Sequence, residues 1–261
     1  MIEVKNLCAG YSNRKAKESA YDDDVIHNIS FSAKNGECLC IVGPNGSGKS
    51  TLLKSLARII DYRGEAFLDS QNIAAFSRKA LARKIALLEQ SPKVYFAYTV
   101  YETVSMGRYA HSDSGMFKGI SAADREIIEQ ALVKMDIQDL RDRSIDELSG
   151  GQLQRVFLAK TLAQTPEVIL LDEPTNHLDL KYQLELLAFL KTWTKENNKT
   201  LISVFHDLNL ARFYSDTMLV LAGGKAAAFA PVDEVLNSGV LQTVYGMDIN
   251  AFMEESLKKW I

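Results

Sequence analysis

The chain has 261 residues, of which 47% are hydrophobic and 24% charged, so it can bury a sizeable core and is neither disordered nor fibrous. Its 30 Lys and Arg residues against 33 Asp and Glu residues leave a net charge of -3. That balance gives no overall positive field for nucleic acid or anionic lipid, and we expect no nucleic-acid partner. No apolar run is long enough to span a bilayer or to serve as a signal peptide.

Short apolar, β-branched runs alternate with helical patterns along the chain. The runs predict strands at residues 2–7, 25–31, 37–42, 85–88, 168–171, 201–205 and 217–221. Apolar residues three and four apart predict helices at 52–60 and 127–135. This alternation predicts an α/β fold with a largely parallel sheet, to which the first strands and the last pair, joined near Gly223 and Gly224, add antiparallel pairing.

The chain shows no linker or internal repeat, so we expect a single domain over residues 1–261. Residues 100–148 are mostly helical in pattern and include a polar loop from His111 to Gly119. We predict that they form a helical subdomain inserted into a core of residues 1–99 and 149–261.

The strand at 37–42 runs into a glycine-rich loop that precedes the helix at Leu52. The loop consists of Gly43, Pro44, Asn45, Gly46, Ser47, Gly48, Lys49, Ser50 and Thr51. Strand, glycine loop and helix in this order form a phosphate-binding P-loop, which the full motif favours over a structural turn. Its amides would surround a β-phosphate, Lys49 would contact the β- and γ-oxygens, and Ser50 would hold Mg²⁺.

The segment 148–152 precedes another helical pattern. Ser149 is a typical N-cap, and the exposed amides that follow it would attract an anion. On its own, this segment favours an ordinary capped helix.

Two carboxylates, Asp172 and Glu173, end the apolar strand at 168–171. The carboxyl edge of an open α/β sheet is where nucleotides bind. We expect Asp172 to serve Mg²⁺ through water and Glu173 to polarise the water that attacks a γ-phosphate. His27, His111 and His177 form no metal-ligand spacing with the cysteines, so Mg²⁺ is the one metal we expect.

Together these residues resemble the ATP-binding cassette (ABC) family. Residues 148–152 read Leu-Ser-Gly-Gly-Gln, which is the family's signature motif without a change, and the P-loop, signature and strand 168–174 occur in the family's order. The resemblance covers nearly the whole chain. It implies a P-loop NTPase of the ABC ATPase type, with a mixed parallel core sheet, an N-terminal antiparallel β-subdomain and an inserted α-helical subdomain.

The resemblance also implies roles for single residues. Tyr11 resembles the aromatic residue that stacks on adenine, with Tyr21 as a second candidate because the stretch 12–24 is longer than in many members. Gln90 resembles the Q-loop glutamine near Mg²⁺ and the attacking water, although Glu89 stands before it where the family often has proline.

Two further positions match family motifs. Asp179 resembles the D-loop aspartate, and His206 resembles the switch histidine that contacts the γ-phosphate. Because the family's signature acts in trans, Ser149, Gly150, Gly151 and Gln152 of one copy would close over ATP bound to a second copy. The resemblance thus implies an ATP hydrolase that works as a pair.

Segments after Gln90 and near the carboxyl terminus resemble ATPases of bacterial and archaeal importers for iron-siderophore, haem or cobalamin. These segments are residues 96–104, 106–111, 175–179, 206–211, 231–236 and 244–247. The resemblance implies transmembrane permease subunits as partners, an extracytoplasmic substrate-binding protein as an indirect one, and a peripheral location at the cytoplasmic face of the membrane. A groove between Gln90 and His111, with Tyr95, Phe96, Tyr98 and Tyr101, would receive the permease.

Four other functions are compatible with ATP-binding cassettes. A soluble ABC ATPase for iron-sulfur cluster assembly, and an importer ATPase for another metal or an oxyanion, remain open. A translation factor would carry two cassettes, and a DNA-repair ATPase would carry a long coiled coil between P-loop and signature. The chain has one cassette and about a hundred residues in that interval without heptads.

Overall fold

The computed structural model describes residues 1–11, 24–90, 96–112, 120–176 and 178–259. They contain ten strands: β1 (Ile2–Gly10), β2 (Asp24–Ala33), β3 (Cys38–Val42), β4 (Tyr62–Leu68), β5 (Gln71–Asn72), β6 (Ile85–Leu88), β7 (Val168–Asp172), β8 (Thr200–Val204), β9 (Thr217–Ala222) and β10 (Lys225–Pro231). All seven predicted strands are among them.

The described residues also contain ten α-helices. These are α1 (Lys49–Leu56), α2 (Arg78–Ala82), α3 (Val100–Ser105), α4 (Ala122–Lys134), α5 (Gly150–Ala163), α6 (Leu180–Glu196), α7 (Leu208–Tyr214), α8 (Val232–Asn237), α9 (Val240–Tyr245) and α10 (Ile249–Lys258). Short 3-10 helices lie at Ile73–Ala75, Met106–His111, Gln138–Leu140 and Ile145–Glu147. The helix predicted at 52–60 ends at Leu56, because Arg58 adopts a left-handed φ of 52° that a helix cannot continue through.

The larger sheet has six strands in the order β10-β9-β3-β8-β7-β6. Five of them run parallel, and β10 pairs antiparallel with β9 at the edge. Every residue of β3, β7 and β8 is buried, because helices cover both faces of a parallel sheet. The carboxyl ends of these three strands therefore meet at one edge, where the P-loop, Asp172 and the segment before His206 emerge.

The smaller sheet has four antiparallel strands in the order β2-β1-β4-β5. Along β1, Ile2, Val4 and Leu7 point into the core, while intervening residues are more exposed. The two sheets meet where the His27 N–H donates to the Gly224 carbonyl at 2.7 Å and where Phe31 packs edge-on against Phe229. The last strand pair thus belongs to the larger sheet and contacts the smaller one.

Hydrogen bonds join the two ends of the segment 96–148. The Val100 N–H donates to the Arg143 carbonyl at 3.0 Å, and the Ile145 N–H donates to the Tyr98 carbonyl at 2.9 Å. The apolar sides of α3 and α4 pack with α5 in one buried cluster. The division into a core and a helical subdomain at 100–148 stays a prediction.

The 3-10 helix Met106–His111 is attached to α4 and α5 by one arginine. The Arg108 guanidinium donates to Asp124 Oδ1 at 2.7 Å, to the Ala163 carbonyl at 2.8 Å and to Thr165 Oγ1 at 3.0 Å. Gly107 allows this close packing, because a Cβ there would lie 2.4 Å from the Lys160 carbonyl oxygen. These contacts hold the insertion against the end of α5.

Two of the three cysteines lie inside the core. Cys38 and Cys40 are buried in β3, and burial raises the pKa of their thiols to about 11 and about 12. Such thiols stay protonated and unreactive at neutral pH. No helix in the described part of the chain combines the length and the apolar character needed to cross a membrane.

Candidate active site

The loop between β3 and α1 is shaped by two glycines. Gly43 has φ +150°, and a Cβ on it would lie 2.1 Å from the Leu221 carbonyl oxygen. Gly48 has φ +99°, and its Cβ would lie 2.2 Å from Ile26 Cγ2. Because no larger residue fits, these positions need glycine, and the chain turns directly from β3 into the amino terminus of α1.

Lys49 is the first residue of α1 and extends back over this loop. Its Nζ donates to the Gly43 carbonyl at 2.8 Å and to the Pro44 carbonyl at 3.0 Å, and the residue is 6% exposed. Burial lowers the pKa of the ammonium, while the charges of Glu173 and Asp172 act in the opposite direction. A cation held at this position is available for a phosphate.

Asp172 ends β7 beside the P-loop and is 4% exposed. Burial raises the pKa of its carboxyl, the Ser50 hydroxyl beside it opposes that shift, and the charge of Glu173 adds to it. Among the described residues, Asp172 Oδ1 and Ser47 Oγ are buried atoms without a hydrogen-bond partner. A buried carboxylate oxygen left unpaired next to a hydroxyl fits a hard cation such as Mg²⁺.

No group of three or more His, Cys, Asp or Glu that could hold a metal occurs among the described residues. Mg²⁺ is commonly bound by one or two carboxylates together with water and substrate phosphates.

Glu173 accepts hydrogen bonds from three different segments. Its Oε2 accepts from Gln90 Nε2 and Asn176 Nδ2, and its Oε1 is hydrogen-bonded to His206 Nε2. The backbone of Glu173 has a left-handed φ of 54°, which is unfavourable for a residue with a side chain. The surrounding hydrogen bonds hold this conformation and turn the carboxylate toward the P-loop cleft.

Most of the predicted site residues line one open cleft. Its lining consists of Val25, Asn45, Gly46, Ser47, Gly48, Lys49, Ser50, Thr51, Gln90, Glu173 and His206. The P-loop and the two carboxylates are 120 residues apart in sequence, and the parallel pairing of β3, β8 and β7 brings them together. Val25, at the start of β2, had no motif that would have identified it.

Other predicted residues lie away from this lining. Tyr11 follows β1 and is 56% exposed, and Tyr21 lies outside the described residues. Asp179 caps α6 by accepting from the Tyr182 N–H at 3.1 Å, and His177 is not described. The roles assigned to Tyr11 and Asp179 stay predictions.

The signature segment caps α5 and faces outward. The Gln152 N–H donates to Ser149 Oγ at 3.3 Å, and the Ser149 N–H donates to Gln152 Oε1 at 3.0 Å. This reciprocal capping box fixes the start of the helix. Ser149 and Gly150 are exposed, so this end of α5 is accessible to a group from outside the chain.

Three side-chain amides near Glu173 make contacts that no sequence motif predicts. Asn176 contacts its carboxylate, Gln154 Nε2 donates to the Pro174 carbonyl at 3.1 Å, and Gln183 Nε2 donates to the Leu178 carbonyl at 2.9 Å. Amides that bond to backbone carbonyls have no characteristic spacing, so only the fold reveals them.

Comparison with known proteins identifies this arrangement. A family model described as ABC transporter matches residues 26–176, more than half of the chain. The chain belongs to the ABC transporter family. It is an ATP-binding ATPase of the ABC type, and the predicted family and fold class are confirmed.

Relatives of this ABC ATPase match along most of its length. It is 36% identical over 250 residues to the petrobactin import ATP-binding protein of Bacillus subtilis, covering 95% of this chain and 94% of that one. It is 38% identical to the ferric enterobactin transport ATP-binding protein of Escherichia coli, covering 85% and 82%. A dimeric ATP-binding cassette in a post-hydrolysis state with ADP and phosphate superimposes with a TM-score of 0.75, at 27% identity over 89% of this chain and 99% of that one.

Proposed function

We propose that two copies of this ABC ATPase bind two ATP molecules between them and drive an importer for iron-siderophore complexes or related iron chelates. The pairing is supported by the separation of the P-loop cleft from the signature segment, the two elements expected to contact phosphate. The P-loop cleft contains Lys49, Gln90, Glu173 and His206, whereas the Ser149 end of α5 is exposed and not part of that cleft. A second copy would complete each site, as the dimeric relative also suggests.

Each residue in the cleft then has a chemical task. The P-loop amides and Lys49 bind the β- and γ-phosphates. Tyr11, outside the cleft lining, would stack on the adenine. Glu173 orients and polarises the attacking water, Gln90 holds Glu173 near that water, and His206 holds Glu173 and contacts the γ-phosphate. Ser50, Gln90 and, through water, Asp172 would hold Mg²⁺, which neutralises charge on the phosphate oxygens when bound.

The proposed permease surface lies between Gln90 and His111. Its aromatic patch is the exposed pair Phe96 and Tyr98, and Met106 and Tyr109 are further exposed side chains of the same segment; Phe96 is 67% and Tyr109 57% exposed. The Phe96 and Tyr98 rings contact each other at 5.7 Å between centroids. Exposed aromatic clusters are typical anchors of protein interfaces. Tyr101 is half-buried beneath Arg141, so it supports the patch, and Tyr95 lies outside the described residues.

An iron-chelate ligand is proposed because the petrobactin and enterobactin relatives are named for such compounds. The chain would then sit at the cytoplasmic face of the membrane through permease subunits, with an extracytoplasmic binding protein delivering the ligand. Purification of the tagged chain in mild detergent tests this proposal. Permease subunits should copurify, and the associated binding protein should hold ferric siderophore. Copurification with soluble cluster-assembly proteins alone would overturn it.

A further inference from the structure

The loop that carries Glu173 is attached to the helix that carries the signature. Gln154 lies in the second turn of α5, is 4% exposed, and donates from Nε2 to the Pro174 carbonyl at 3.1 Å. Pro174 directly follows Glu173. A buried amide without a partner is strongly unfavourable, so this hydrogen bond fixes the spacing between α5 and the loop.

Proline makes the attachment stiff. The Pro174 ring fixes φ of this residue, and the hydrogen bond to its carbonyl also restrains ψ. With both angles restrained, the backbone of the neighbouring Glu173 is restrained as well. Glu173 already occupies an unfavourable left-handed conformation. On the other side, Gln183 of α6 holds the same loop by donating to the Thr175 carbonyl at 3.2 Å and the Leu178 carbonyl at 2.9 Å.

We propose that Gln154 is a positioning residue: when the amino terminus of α5 shifts, the Gln154 hydrogen bond shifts the Glu173 carboxylate with it. This inference rests on the proposed pairing, in which Ser149 contacts ATP on the partner copy while Glu173 acts on ATP in its own P-loop. Gln154 lies five residues after Ser149 on one rigid helix. A movement of the capped end therefore carries Gln154 with it, and the two ATP sites of the dimer become coupled through this bond.

The chain offers a matched control on the same helix. Gln164 follows the last turn of α5, and its Nε2 donates to the Ile85 carbonyl at 2.9 Å and to the Ala82 carbonyl. Gln164→Met thus removes an amide-to-carbonyl bond of the same kind, but one that joins α5 to the start of β6. Comparison of the two variants therefore distinguishes a general loss of α5 packing from a specific effect on Glu173.

The test compares Gln154→Met with Gln164→Met in the full chain assembled with its permease. We expect Gln154→Met to lower kcat about tenfold, as loss of one buried hydrogen bond would, and to reduce the Hill coefficient for ATP toward one. Binding of a fluorescent ATP analogue and the melting temperature should equal those of Gln164→Met. Pro174→Ala, which frees φ but keeps the carbonyl, should change kcat and cooperativity in the same direction.

Unchanged kcat and cooperativity in Gln154→Met, or equal losses in both glutamine variants, would overturn the inference while leaving the proposed pairing intact. A wild-type complex with a Hill coefficient of one and no ATP-dependent pairing would instead remove the pairing and the inference together.

Discussion

Glu173 has three hydrogen-bonding side chains around one carboxylate, from Gln90, Asn176 and His206. The three residues come from different parts of the chain: Gln90 is the second residue after β6, Asn176 lies in the loop after β7, and His206 is the second residue after β8. Lys49 instead binds carbonyls of its own loop. Glu173 is therefore placed to orient water, whereas Lys49 is placed to bind phosphate.

Glu173→Gln and Lys49→Ala should consequently fail in different ways. Glu173→Gln keeps the shape of the side chain but removes the base, so ATP binding should persist while turnover falls about a hundredfold or more. Lys49→Ala removes the phosphate contact, so nucleotide affinity should fall as well. ATPase assays and binding of a fluorescent ATP analogue measure both. Near wild-type turnover in Glu173→Gln would show that another group activates the water.

Among the elements, a charged contact joins Arg108 of the 3-10 helix Met106–His111 to Asp124 of α4, and the two side chains are only 10% and 20% exposed. The Ser121 hydroxyl, followed by the Arg108 guanidinium, lowers the pKa of Asp124 despite partial burial. Asp124 also lies in the first turn of α4, where a negative charge is favourable. The carboxylate thus stabilises both the helix and its attachment to Met106–His111.

Asp124→Asn should therefore lower stability by about 1–2 kcal/mol at pH 7, as expected for a charge-assisted hydrogen bond. Because the pKa is lower in the folded state, the contribution is present above the unfolded pKa of about 3.9 and is lost as pH falls through the folded value. Denaturant unfolding at a series of pH values measures it. Asp142→Asn, at an 89% exposed carboxylate, serves as control. A difference between Asp124→Asn and wild type that persists in full at the lowest pH would contradict this account.

Elements with strong local patterns could be predicted from sequence, and weakly patterned ones could not. The continuous apolar runs of β3 and β7 mark buried parallel strands unambiguously. By contrast, Gly64 and two exposed charged residues, Arg63 and Glu65, interrupt β4, and β10, expected only as the partner of the preceding strand, is largely alanine. Their strand conformation comes from pairing with β1 and β9 and has little local signal.

Within the site, motif residues could be predicted because their chemistry requires fixed neighbours in sequence, as in the P-loop and in Asp172 followed by Glu173. Gln154, Asn176 and Gln183 could not, because each contacts the catalytic loop through a three-dimensional arrangement set by α5 and α6.

In the whole molecule, Gln90 relates the ATP cleft to the proposed permease surface. Gln90 contacts Glu173, and the aromatic patch begins six residues later in the sequence at Phe96. Movement of the Gln90 segment during the ATP cycle would move the patch and the permease docked on it, without contact between this chain and the transported ligand.

Phe96→Ala and Tyr98→Ala should therefore reduce copurification of the permease and abolish transport while leaving ATP binding intact. Phe213→Ala is a suitable control, because Phe213 is 71% exposed but lies on α7. Assembly and transport at wild-type levels in both patch variants would show that the permease docks elsewhere.

In the proposed pair, ATP lies between two copies, with Ser149 and Gly150 of one facing the P-loop of the other. Light scattering of Glu173→Gln measures this directly, because blocked hydrolysis preserves the ATP-bound state. With ATP the account predicts about twice the 29.1 kDa chain mass, with ADP the mass of a single chain, and with Ser149→Arg added no ATP-dependent increase. A single-chain mass with ATP, or an ATP-dependent pair that Ser149→Arg leaves intact, would contradict it.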